Sequence, residues 1–433
     1  MQDYDKQVVD TLSDLIHFNT VEAPAAGEGA PFGLGVKAAL DYTLRLLESW
    51  GFRTRNLDGY CGWAEVGEGD LFGVLCHLDT VPLGEGWRYD PLSATIADGK
   101  LYGRGSQDDK GPFVASLYAI KELLDEGKTP SKRVRFIFGC NEETGWQCMD
   151  RYLATEEHPV MAISPDGDFP VINCEKGLGH FELVFDRPEW LLELNAGYRV
   201  NMVPDKAYAR VKGIGDRLGD APSHGVDVEW DGDECVLRAS GKSAHGSTPW
   251  LGENALLKIL SVLVGVDEVA TALGKGLSRT NGSAAGVGFH DDQSGDLSLN
   301  AGYARLEDGC LKVGLDIRFP ISFSHEMVTH GLESAFPMAK VVLKHAHPSL
   351  YLAPDHPLVS ALLDSYAEVM GERPAPLCIG GATYARALPN AVAFGPVFPG
   401  DEEMCHQVDE YVRLDRLVQM RRIYKVAFEK ICF

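Results

Sequence analysis

Leu71-Phe72-Gly73-Val74-Leu75-Cys76 is an unbroken apolar run, and it leads directly into His77-Leu78-Asp79-Thr80-Val81-Pro82. Continuous rather than alternating hydrophobicity marks a strand covered on both faces, as in a parallel sheet packed between helices. Runs of the same kind occupy 134–139 and 160–164, and each is followed by residues able to bind metal: Glu142 and Glu143 after the one, Asp166 after the other. In open α/β sheets ligands bind beyond the carboxyl ends of the strands, so three such runs point to one shared site.

Working outward, Val8, Leu12, Leu15 and Ile16 share a helical face, as do Leu40, Leu44 and Leu47, and a helix with Phe113, Leu117, Ile120 and Leu124 inward separates the first two runs. A fourth run at 391–397 leads to His406 and then to an amphipathic helix carrying Leu417, Tyr424, Phe428 and Ile431. Between them the texture changes to strand-like runs at 180–185, 208–212 and 310–319, a helix over 254–264 and Gly-rich loops. The expected fold is α/β, a catalytic domain with a mostly parallel mixed sheet formed by 1–178 and 351–433, interrupted by an inserted α+β domain at 179–350.

The 433 residues carry a net charge of −23, which repels phosphate backbones and excludes the basic stripe of a nucleic-acid binder. The first segment is acidic throughout, and no stretch reaches membrane-spanning length. Ten cysteines without a C-x-x-C pair read as reduced thiols, which places the chain in the cytoplasm.

Taken alone, His77-x-Asp79 fits a structural or surface role, and the adjacent Asp108 and Asp109, opening a helix in a glycine-rich loop, fit dipole complementation. Together with Glu142-Glu143, Ser164-Pro165-Asp166-Gly167 and Met404-Cys405-His406 they make a set of two histidines and several carboxylates. Such a set suits two zinc ions ~3.5–4 Å apart with one bridging carboxylate. His345-Ala346-His347 lacks partnering carboxylates and reads as exposed polarity. Asp291–Asp296 lacks the closing Glu of a calcium loop. No phosphate-binding loop occurs.

In chain order HLDTVP, GRGSQDDKG, NEETG, SPDG, SAHGSTP and the late MCH resemble the M20 family of dizinc metallopeptidases. NMVP at 201–204, DIRFP at 316–320 and GGATYAR at 380–386 resemble its PepV-like dipeptidase branch. The resemblance implies that His77, Asp108 and Asp166 hold one ion and Asp108, Glu143 and His406 the other, with Zn2+ or alternatively Mn2+ or Co2+. It makes Glu142 the general base, Asp79 the partner orienting His77, and the Asp108–Asp109 peptide bond cis.

It also makes the inserted domain a lid. His245, assisted by Asn201, would stabilise the oxyanion, Arg318 would grip the substrate carboxylate, and Gly380 and Gly381 would line the substrate site. The implied activity is hydrolysis of dipeptides or short peptides with a free C-terminal carboxylate. The alternative is an N-acyl amino acid amidohydrolase of deacetylase or desuccinylase type. The enlarged lid of this branch implies a monomer.

Overall fold

The apolar runs become the centre of a sheet. In the computed structural model, which describes residues 3–433, Leu71–His77 is buried along its whole length and Arg133–Gly139 along all but its first residue. The sheet runs Arg53–Leu57, Cys61–Val66, Arg133–Gly139, Leu71–His77, Met161–Ser164, Ala391–Ala393, Ile172–Glu175. Its three central pairings are parallel and its flanks antiparallel, so the mixed character lies at the edges. Parallel neighbours need a crossover, and the helix Lys110–Asp125 supplies it between Leu71–His77 and Arg133–Gly139. In that register His77 pairs with Gly139, which aligns the carboxyl ends of the two strands.

Packing follows the apolar faces. Val8, Leu12, Leu15, Ile16, Leu40, Leu44 and Leu47 are all buried. Phe428 of the helix Leu414–Cys432 meets Phe72 and Phe136 edge-on, with ring centroids 6.5 and 6.3 Å away. On the crossover helix Phe113, Leu117 and Ile120 are buried, but Leu123 replaces Leu124 as the fourth.

The chain divides into two units, 1–173 with 352–377 and 383–433, and 174–351 with 378–382. A cut at 178 would sever the strand Gly177–Asp186, which belongs wholly to the second unit. The segment 378–382, expected in the first domain, joins the second because Lys176 N–H donates to the Ile379 carbonyl and Arg318 to that of Gly380. Cys378 also pairs with Cys174 in a disulfide, which corrects the expectation that all ten cysteines are reduced. The two lie on chain segments 204 residues apart whose Cα atoms come within 4.4 Å, a proximity that sequence spacing does not reveal.

The second unit is an eight-stranded antiparallel sheet, in the order Val226–Asp231, Glu234–Ser240, Lys206–Lys212, Leu191–Ala196, Ser298–Glu307, Cys310–Phe319, Gly177–Asp186, Lys340–His347. Phe181, Leu183, Phe185, Val313, Leu315, Ile317 and Phe319 point into a core shared with the helices Ala255–Val262, Glu268–Gly276 and His325–Ala335. Because side chains alternate along a strand, His180, Glu182, Asp316 and Arg318 line the opposite face. Asp291 staples a turn, accepting hydrogen bonds from Ser294 and from the Ser322 N–H. Among the described residues no helix is long and apolar enough to cross a membrane.

Candidate metal centre

Each ligand candidate of the first unit follows the end of a strand or sits in a loop beyond it. His77 ends its strand and is fully buried; its ring Nε2 lies 2.9 Å from Asp108 Oδ1 and 3.7 Å from Asp166 Oδ2. The other oxygen of Asp108 lies 3.0 Å from His406 Nε2, which is 3.1 Å from Glu143 Oε2. Asp108 thus faces one histidine with each oxygen. Tetrahedral bonds of about 2.0–2.2 Å would set ligand atoms roughly 3.3–3.6 Å apart, and the observed 2.9–3.7 Å brackets that range, so small side-chain shifts would let these residues hold divalent cations. One carboxylate oxygen of Glu142 falls within 4.8 Å of ligand atoms of both His77 and Asp166.

The backbone is arranged to hold this cluster. The Asp108–Asp109 peptide bond is cis, and Asp109 turns away from the ligands to accept the N–H of His77 at 3.1 Å. His77 Nδ1 bonds the main-chain carbonyl of Asp79 at 3.0 Å, whereas the Asp79 carboxylate stands 3.7 Å off. Asp79 thus stands beside His77 with its carbonyl at hydrogen-bond distance and its carboxylate farther off. That carboxylate is occupied elsewhere: it accepts the N–H groups of Glu142 and Glu143. The indole N–H of Trp146 donates to Glu142 Oε1 at 3.1 Å.

So many acids in one buried place bear on their own ionisation. Burial pushes Asp166 up to about 7 and also raises Glu142 and Glu143. Asp108 resists the same burial because hydrogen bonds from His406 and His77 hold it below the usual range. Hydrogen bonds to Asp108 and Glu143 lift His406 to about 11. Without cations, protons fill the role of the positive charge that the carboxylates demand.

A second set of contacts ties the loops together. Glu410, fully buried, accepts the N–H groups of Gln107 and Asp108 on Oε1 and those of Arg104 Nη1 and Gly105 on Oε2. Burial and the charge of Asp108 push its carboxyl up to about 7, against the hydrogen bonds that favour the ionised form. Gln107 Oε1 in turn accepts the Met404 N–H at 2.6 Å.

The chain belongs to peptidase family M20/M25/M40. That family's sequence pattern matches residues 73–430. The Bacillus subtilis (strain 168) protein named "Putative dipeptidase YtjP" is 37% identical over 452 residues, covering 98% of this chain and 97% of its own. Two solved structures share the fold. Aminoacylhistidine dipeptidase from Vibrio alginolyticus has a TM-score of 0.61 at 14% identity, covering 99% of this chain and 96% of that one. The Bacillus subtilis YXEP protein, described as a dinuclear metal binding peptidase from the M20 family, has a TM-score of 0.52 at 14% identity, covering 99% and 98%. The M20 chain described here is a metallopeptidase with an inserted domain.

The remaining candidates, Asn201, His245, Arg318, Gly380 and Gly381, belong to the second unit, where four of them form one connected group. Gly246 N–H donates to the Asn201 carbonyl at 2.7 Å, and Met202 bridges His245. A Cβ on Gly246 would lie 2.4 Å from Asp316 Oδ2, so only glycine fits there. His245 Nδ1 lies 2.7 Å from Ser247 Oγ and 3.2 Å from the Ser247 N; with Nδ1 accepting from both, the proton of the neutral ring sits on Nε2. Arg318 gives Nε and Nη2 to the two oxygens of Asp316 at 2.8 and 2.9 Å, and Nη1 to the Gly380 carbonyl at 3.2 Å.

Sequence reasoning missed Asp316, Glu410, Gln107 and Trp146. Asp316 had a signal, since residues two apart on a strand share a face. Glu410 had none, for it stands 302 positions from the N–H of Asp108 that it holds.

Proposed function

We propose that this chain hydrolyses dipeptides and short peptides with a free C-terminal carboxylate, using two divalent cations, zinc in the first instance. His77, Asp108 and Asp166 would hold one ion and Asp108, Glu143 and His406 the other. The observation that carries the reading is the single carboxylate, Asp108, with a histidine nitrogen within 3.0 Å of each oxygen. When bound, such ions lower the pKa of water toward 7 and polarise a carbonyl.

Glu142 takes the proton from the attacking water and returns it to the leaving amine at its Oε atoms. Trp146 and the Asp79-anchored backbone hold that carboxylate in line. His245 donates Nε2–H to the developing oxyanion, with Asn201 assisting, and Arg318 offers its remaining N–H hydrogens to the substrate carboxylate beside Gly380 and Gly381. The dipeptidase naming of the relative that is 37% identical along nearly the whole chain supports the substrate class. Eight cysteines that stay free thiols favour a cytoplasmic location, and the Cys174–Cys378 disulfide weighs against it. A panel of dipeptides against N-acetyl and N-succinyl amino acids, run with elemental analysis, tests the reading. Turnover of the N-acyl substrates alone would overturn it in favour of an amidohydrolase.

A further inference from the structure

The ligand pair Asp108 and His406 comes from loops separated by nearly three hundred residues, and the two ligands alone cannot fix the distance between those loops. Hydrogen bonds of Glu410, Gln107 and Arg104 do so on the protein side. Glu410 receives the Gln107 N–H at 2.8 Å and the Asp108 N–H at 3.2 Å on one oxygen. Its other oxygen receives Arg104 Nη1 at 2.7 Å and the Gly105 N–H at 3.1 Å. Gln107 closes the circuit by accepting the N–H of Met404, two residues before His406. The Arg104 guanidinium extends the tie to the segment after Asp79, donating through Nη2 to the carbonyls of Pro82 and Leu83, both at 3.3 Å.

We propose that Glu410 is a positioning residue for the Asp108–Glu143–His406 half of the centre, setting the reach between the bridging carboxylate and His406 while touching neither ion. The inference rests on the two-ion reading. All four partners of Glu410 are N–H donors, so the site accepts only a group with two acceptor oxygens. A glutamine has one, and its NH2 would face either the Gln107 and Asp108 N–H pair or the Arg104 and Gly105 pair. Donor against donor forces the two loops apart and lengthens the reach from Asp108 to His406. Glu410→Asp keeps both acceptors on a shorter stem and should recover part of the loss. Partners that orient metal ligands typically contribute 10–100-fold in affinity.

The test is titration of the metal-free full-length protein with Co2+ against a competing chelator, following bound equivalents by elemental analysis and the d–d absorption of each site. In Glu410→Gln the second equivalent should bind about 10–100-fold more weakly with an altered spectrum, the first should change less than about threefold, and Glu410→Asp should lie between. Unchanged binding of the second equivalent, or equal weakening of both, would overturn the proposal. If Glu410→Gln does not fold, Gln107→Met decides: it removes the acceptor for Met404 N–H while sparing the Arg104–Glu410 pair, and an unchanged second site in that variant overturns the proposal too. A parent protein that takes up one equivalent only would instead sink the two-ion reading, and this inference with it.

Discussion

The carboxylate of Asp79 accepts the main-chain N–H of Glu142 at 3.0 Å, and its second oxygen accepts that of the next residue at 3.1 Å. The residue that orients His77 through its carbonyl therefore also fixes the backbone of the proposed base.

Asp79→Asn keeps that carbonyl but turns an NH2 toward one of the two N–H donors, at a cost of about 1–3 kcal/mol. The expected result is a fall in kcat of roughly 10–100-fold with KM and metal content nearly unchanged. Loss of metal from the variant would show instead that Asp79 acts through His77.

Glu142→Gln preserves shape and the contact from Trp146 but cannot take a proton. Both ions should remain by elemental analysis, while kcat drops by about 10²–10⁴-fold. Activity equal to the parent would reassign the base.

Metal uptake should release protons and strengthen as pH rises. His406 is lifted to about 11 in the metal-free fold, so at neutral pH it is protonated and must lose that proton to become a ligand. Below its raised value each added pH unit removes competition from the proton. Calorimetric titration with Zn2+ in buffers of different ionisation enthalpy should reveal net release. Chelation should abolish activity, and Zn2+ or Mn2+ should restore it.

Arg318 is already bound at both fork atoms by Asp316, so Arg318→Ala should act twice. It strips a buried carboxylate of its guanidinium, leaving His180 Nε2 3.8 Å away, which costs about 3–5 kcal/mol of stability, and Asp316→Ala in addition should recover part of the lost Tm. For dipeptides kcat/KM should fall by about one to three orders of magnitude, with little further loss when the substrate carboxylate is amidated. Simple addition of the two penalties would move the carboxylate contact to another residue.

Light scattering at low micromolar concentration should return the chain mass of 47.2 kDa. Twice that value would contradict the monomer that the resemblance implies.

The sheet centre was legible because a strand covered on both faces must be apolar at every position, and 71–76 is. His77, Asp108, Glu143, Asp166 and His406 were legible because each sits in a short motif that keeps its chemistry in local sequence. Glu410, the Cys174–Cys378 pair and the excursion of 378–382 were not, since each is created by segments meeting across hundreds of residues. Asp316 lies between these cases: the strand period put it beside Arg318, but neither residue type alone says that the guanidinium is already engaged.

The tie between Gln107 and Met404 also has a meaning in time. Synthesis places His77, Asp108 and Asp166 in the chain before His406 and Glu410, which follow Asp166 by 240 and 244 residues. On the two-ion reading, the ligands of one half-centre are all in the chain early, but the other waits for the segment that carries His406. The Asp108–Glu143–His406 half then exists only once the segment carrying Met404, His406 and Glu410 has folded against residues 104–108.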